Sequence, residues 1–198
     1  KAVINLSVDL VNEILKKKRI IVNVKPKYLI SEDMYEHSIR VAVLAVVIGI
    51  GYGFSFQSLK HLASSALLHD IGMIANADEI KEIKADHTIL GERKYSKVLE
   101  KYGDEMIALQ ECIRPVHGKR ARDYIEKKMD ERLFLIPEST NISFKSELAQ
   151  ICMSHNEDFE WIKKNLHNDE KKGHFELNAQ YISVLLRISD YLDIDEQR

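Results

Sequence analysis

The stretch Ala66-Leu67-Leu68-His69-Asp70-Ile71-Gly72 decides how this chain is read. Upstream of it, Leu59, Leu62, Ala63, Ala66 and Leu67 recur at helical spacing in a helix expected over about Gln57 to Asp70. The next position on that apolar stripe is Asp70 itself. A carboxylate facing a core costs free energy unless something positive meets it. A metal ion is the expected partner, and the remaining chain must then supply the other ligands.

Working outward, helical periodicity dominates. Helices are expected over Val3–Lys18, Glu32–Ile50, Ile89–Lys101, Asp104–Cys112, Pro115–Met129, Ser146–His155 and Asn178–Asp193. Ser31-Glu32-Asp33 offers a cap and first-turn acids, Pro115 suits a first helical turn, and Asn178 suits a cap. The helix from Glu32 is apolar on more than one face and should be central. Ile20–Ile30, with Pro26, reads as a connector. Ala75–Thr88 and Leu133–Ser143 read as loops, the former with room for one short helix. Asn156–Leu177 is a polar insertion with one small helix around Trp161. With no strand-rich segment or repeat, the fold class is all-α, a helical bundle over residues 32–198 preceded by a helix and connector over 1–31.

His37, Asp70, His117, His155 and Asp190 each occupy a helix position that the apolar period assigns to the core. A single buried histidine is ordinarily a hydrogen-bonded core residue. Five such residues on five helices are better explained by one metal site inside a helical bundle. His69, beside Asp70, makes a sixth ligand.

The 198 residues suffice for one sizeable core, and 45% hydrophobic with 30% charged residues is ordinary globular composition. A net charge of −2 gives no basic field for nucleic acid, which is therefore not a favoured partner. Cys112 and Cys152 form no Cys-x-x-Cys pair and read as buried thiols of a reducing cytosol. Lys1–Arg19 lacks the apolar core of a signal peptide. The most apolar run, Val41–Phe54, is shorter than the roughly 20 residues that span a bilayer, so a fully buried core helix and no membrane partner are expected. Lys1 is not a methionine and Arg198 follows directly on a helical pattern, so a domain of a longer protein is the expectation.

His37, the doublet His69-Asp70 followed by Ile71-Gly72, and Asp190 within Leu186-Arg187-Ile188-Ser189-Asp190 resemble the HD phosphohydrolase superfamily. His117 and His155 resemble the extra ligands of its dinuclear members. His117-Gly118-Lys119-Arg120-Ala121-Arg122 and the segment Leu185–Asp195 look closest to two branches. These are the HD-CE domains of bacterial conflict systems, often beside an ATPase domain, and the exopolyphosphatase/guanosine pentaphosphatase C-terminal HD domain. The resemblance implies a first metal held by His37, His69, Asp70 and Asp190, with Asp70 bridging to a second held by His117 and His155. It implies one or two divalent transition ions (Mn, Fe, Co, Ni or Zn) and hydrolysis of a phosphoester or phosphoanhydride in a nucleotide-like substrate by metal-activated water. Met73 stands where many cyclic-di-GMP phosphodiesterases of the superfamily carry lysine, and their Gly-Tyr-Pro motif is missing, which disfavours that subtype. The alternatives are a regulatory HD module that binds metal or nucleotide and signals to an adjacent domain without turnover, and, more weakly, an HD nuclease.

Arg40, Arg120 and Arg187 each lie three residues from a ligand, which places the guanidinium beside it on the helix surface. Arg120 and Arg187 sit inside the family-like motifs and are expected to clamp phosphate, with Asp70 as the central catalytic residue. Arg40 is evenly balanced between that role and a structural one, and Arg122 is expected to be structural. His61 lies off the apolar stripe and is expected to be exposed, as are His167 and His174 in the insertion. His87 reads as an ordinary loop histidine. Trp161 and Phe159 are expected to pack the insertion onto the domain.

Overall fold

The structure, a computed structural model, describes residues 3–16, 32–87, 90–136 and 141–193. The helices are α1 (Val3–Lys16), α2 (Glu32–Gly51), α3 (Phe56–Leu68), α4 (Ala77–Lys84), α5 (Tyr95–Tyr102), α6 (Glu105–Ile113), α7 (His117–Lys128), α8 (Lys145–Ser154), α9 (Phe159–Asn165) and α10 (Ala179–Leu192). One two-stranded hairpin, β1 (Glu170–Lys172) with β2 (Phe175–Leu177), completes them. The bundle is all-α apart from that hairpin. The connector expected over Ile20–Ile30, the residues around Thr88 and Pro137, and the chain after Asp193 lie outside the described residues.

The organising helix is α3, not α2. Every residue from Leu59 to Ala66 is buried, because α1, α2, α8 and α10 all pack against α3. Ala63, Ser64, Ser65 and Ala66 make this close approach feasible, their small side chains letting neighbours reach the helix from several sides. Ser64 Oγ meets Ser7 Oγ of α1 at 2.6 Å, and Ser65 Oγ donates back to the His61 carbonyl at 2.9 Å. The expected exposure of His61 is therefore overturned: it is 1% exposed, with its ring 5.0 Å from that of Phe144. Conversely, α2 is not fully buried, since Val47 and Ile50 lie on the surface. By length and composition alone its Met34–Gly51 window is long and apolar enough to cross a membrane. Its other side carries Val41, Ala42 and Ala45 into the core.

The main core joins Val41, Leu62, Ile125, Phe134, Phe144, Leu148 and Ile182, contributed by helices on both sides of α3 and by the segment before α8. A satellite cluster of Ile83, Tyr95, Leu109, Cys112 and Ile113 packs α4, α5 and α6 together. It falls wholly between Asp70 and His117 in sequence. A third cluster seats Val11 and Ile14 of α1 on Val46, Leu59 and Ala63.

Two local departures from the sequence reading have simple causes. The helix expected from Ile89 starts instead at Tyr95, because Gly91 and Glu92 take positive φ values (53° and 67°) that turn the chain back, pairing Leu90 with Arg93. The insertion holds the unexpected hairpin, in which Glu170 pairs with Leu177 and Lys172 with Phe175 around a turn where Gly173 has φ +64°. Its strands are three residues long and the first is wholly charged, which is too little for an apolar alternation to be read from the sequence.

Candidate metal centre

The doublet is shaped by the end of α3. Ser55 caps the start of that helix, its Oγ accepting from the Ser58 amide at 3.1 Å. The helix stops at Leu68, so Asp70 is not on its last turn but just beyond it, with φ −93° and ψ 7°, opening a short 3-10 turn over Ile71–Met73. The Met73 amide closes that turn on the Asp70 carbonyl at 2.9 Å. Asp70 is thereby aimed inward and remains 8% exposed.

Two glycines then bring the other helices to it. A Cβ on Gly72 would lie 1.9 Å from the His117 carbonyl oxygen and 2.5 Å from the Ala121 nitrogen. The turn after the doublet thus lies directly on the first turn of α7, a contact that only glycine permits. A Cβ on Gly118 would lie 2.8 Å from the Met153 carbonyl oxygen, so α7 and α8 also approach closely there. His117 opens α7, following a 3-10 turn that contains Pro115, and His155 closes α8. From the opposite side, α2 brings His37 and α10 brings Asp190. Asn178 Oδ1 caps α10 by accepting from the Tyr181 amide at 2.9 Å, and Ser183 Oγ joins it to Ser154 Oγ of α8 at 2.5 Å.

All six expected ligands converge. His117 Nε2 lies 3.1 Å from Asp70 Oδ1, and His69 and His155 Nε2 each lie 3.6 Å from the same oxygen. His37 Nε2 lies 3.7 Å from Asp70 Oδ2 and 3.1 Å from Asp190 Oδ1, while His69 Nε2 is 3.6 Å from Asp190 Oδ1. Two triads, His37-His69-Asp70 and Asp70-His117-His155, each gather their ligand atoms within 4.8 Å of one another. Asp70 belongs to both.

Every histidine is oriented through its other ring nitrogen. Nδ1 of His69, His117 and His155 meets the carbonyl oxygen three residues back, of Ala66 at 2.7 Å, of Arg114 at 2.5 Å and of Cys152. Nδ1 of His37 meets Asp193 Oδ2 at 2.7 Å. Carbonyls and carboxylates only accept, so each Nδ1 carries the hydrogen and donates, which leaves Nε2 to present a lone pair.

The residues fit a cation on two further grounds. The Nε2 atoms of His37 and His69 are buried without a hydrogen-bond partner, an expensive arrangement that a metal would relieve. The electrostatics also point to missing positive charge. Burial alone would lower the pKa of His69, yet Asp70 and Asp190 override it and raise it to about 9. Burial would raise that of Asp70, and His69, His117 and His155 instead hold it well below the usual carboxylate range. The carboxylates of Asp70 and Asp190 thus favour positive charge at this position, as they would favour a bound cation. Burial pushes His155 down, with His69 and His117 adding to the effect against the opposing pull of Asp70.

The arginines sit differently from expectation. Arg120 does not stand as a free phosphate clamp: Nε donates to the Gly72 carbonyl at 2.7 Å, Nη2 to the Ile74 carbonyl at 2.8 Å, and Nη1 to Glu79. It straps the turn after the doublet onto α7. Arg187 donates to the Glu157 carbonyl, tying α10 to the loop after His155. Arg122 is structural as expected, bonded to Asp123 and to Met153 Sδ. His87 pairs with Glu82 on the surface, and His167 and His174 are exposed. Trp161 packs against the main core, whereas Phe159 is exposed. Sequence reading missed Asp193 altogether. Its spacing three residues after Asp190 is the sequence signal, but its contact with His37 depends on how α10 lies against α2.

These features define a helical bundle built around a buried histidine–carboxylate cluster, headed by a His-Asp doublet, that could hold a metal ion. The HD-CE family model matches residues 61–198, most of the chain, and the protein belongs to the HD-CE family. No curated protein and no solved structure matches the chain.

Proposed function

We propose that this domain is a metal-dependent phosphohydrolase that cleaves a phosphoester or phosphoanhydride in a nucleotide-like substrate. The observation that supports this most directly is the sharing of Asp70, one oxygen toward three histidines and the other toward His37. A carboxylate shared in this way suits a bridged pair of divalent ions. When bound, such ions supply Lewis acidity toward phosphate and an activated water at neutral pH.

The chain's own residues supply the rest. Four imidazoles are fixed in one tautomer, so the donor set is formed before any substrate arrives. Asp70 and Asp190 supply the negative charge that holds the ions. The side chain of Asp190 is 25% exposed whereas those of Asp70 and His37 are at or below 10%, so substrate approaches along the Asp190 edge. Arg120 and Arg187 act as positioning residues for the turn after the doublet and the loop after His155.

The test is metal analysis of the purified protein, followed by a turnover screen over nucleotides, cyclic dinucleotides, polyphosphate and single-stranded nucleic acid. One to two transition ions per chain are expected, with hydrolysis lost in His69→Ala and Asp70→Ala variants that retain the fold. A metal-free preparation that cannot be reloaded with Mn or Fe would overturn the reading. The second reading, a regulatory module that binds nucleotide and signals to an adjacent domain such as an ATPase, draws support from the engagement of Arg120 and Arg187 with backbone carbonyls. Tight binding without turnover in any metal would favour it.

A further inference from the structure

Among the four histidines expected as ligands, three are oriented by a backbone carbonyl three residues earlier in the chain, and one is not. His69, His117 and His155 each donate to the carbonyl three residues earlier, so their rings are fixed as soon as the local turn forms. His37 instead donates to Asp193 Oδ2 at 2.7 Å, a side chain from the far end of the sequence. Asp193 is also the residue that ends α10, its amide bonded to the Ser189 carbonyl at 3.2 Å. Its second oxygen accepts from Arg40 Nε at 2.8 Å, and Arg40 lies one turn after His37 on α2.

We propose that Asp193, held by Arg40, is the positioning residue of His37, and that the C-terminal turn of α10 thereby sets the strength of the first metal position. This rests on the metal-site reading above. A carboxylate behind a ligating imidazole fixes its tautomer and raises its basicity, while a backbone carbonyl fixes the tautomer with less charge. His37 is therefore the one of the four oriented by a carboxylate rather than by a backbone carbonyl. It is also the one whose orientation depends on a contact between two helices. The Arg40–Asp193 bond has a separate role. It keeps the carboxylate from turning away from His37 and offsets part of the cost of burying it.

The contrast predicts an asymmetric loss. In the full chain, Asp193→Ala should weaken binding of one metal ion by about 10–100-fold, the range for removal of an outer partner of a ligand histidine, and leave the other unchanged. Asp193→Asn keeps an acceptor without the charge and should recover part of that loss. The measurement is competition against a chelator with Mn or Co. Imidazole nitrogen chemical shifts of the metal-free protein would provide a second readout, since His37 should lose its single Nδ1–H tautomer in the alanine variant but keep it in the asparagine variant. A purely structural role for Asp193 would lower the melting temperature without a selective loss at one metal position or a tautomer change. That result would overturn the proposal, as would wild-type affinity at both positions in Asp193→Ala. Wild-type protein that binds no metal would instead overturn the reading on which it rests.

Discussion

The middle of α3 and its C-terminal cap carry two histidines of almost equal burial and opposite character. His61 is 1% exposed and His69 fully buried. His61 faces Gln57 and the ring of Phe144, and burial, with Lys60 adjacent, drives its pKa down to about 3. Two turns later, His69 faces two carboxylates and its pKa rises to about 9. Burial therefore does not make a histidine a ligand. What separates the two is the charge that the surrounding helices deliver, and at the His69 end that delivery depends on Asp70, Gly72 and the close approach of α7.

The comparison breaks most visibly at Asp70. Asp70→Asn should abolish metal binding at both triads and cost turnover well beyond the roughly 10–100-fold of an outer-partner loss. His61→Leu should leave metal content unchanged. Elemental analysis of the two variants side by side checks this, and equal metal loss in both would erase the distinction. Next in size is Gly72→Ala. Its Cβ must displace the first turn of α7, so stability should fall by about 1–3 kcal/mol in denaturant unfolding, with His117 and His155 no longer meeting Asp70.

The pH dependence sharpens the His61 side. Its folded pKa of about 3 lies below the unfolded value of 6.5, so between those limits the unfolded chain binds the extra proton. Its share of stability is complete above pH 6.5 and falls as the solution is acidified, by up to about 1.4 kcal/mol per unit. Unfolding measured at pH 6.5 and pH 5 should show a shallower acid loss in His61→Leu than in wild type. An unchanged slope would mean that His61 is protonated or solvated in the folded state. The smallest effect is at the cap: Ser55→Ala should cost about 1 kcal/mol at the start of the helix without changing metal affinity.

The clustered side chains were legible in the sequence because five of the six interrupt an apolar stripe, where a polar residue needs a partner, and His69 stands beside one of those five. The same logic failed at His61. A stripe identifies the inside of a helix only when the other faces meet water, and α3 has protein on nearly every side, with even Lys60 2% exposed. The arginines show another limit. Spacing placed Arg120 and Arg187 beside ligands, but whether a guanidinium turns to solvent or to a carbonyl depends on loops that have no period. Asp193 was hidden for a related reason: its role arises from α10 lying against α2, and no local pattern reports that contact.

The pairing of α2 with α10 has a consequence for biosynthesis. His37 emerges early from the ribosome, whereas its orienting partner Asp193 and its fellow ligand Asp190 come from the last helix described. During translation the nascent chain exposes histidines and one aspartate without a complete donor set. If the centre takes metal as proposed, selective capture by the full set would wait until α10 has been synthesised and has docked, so loading would report that the domain has finished folding.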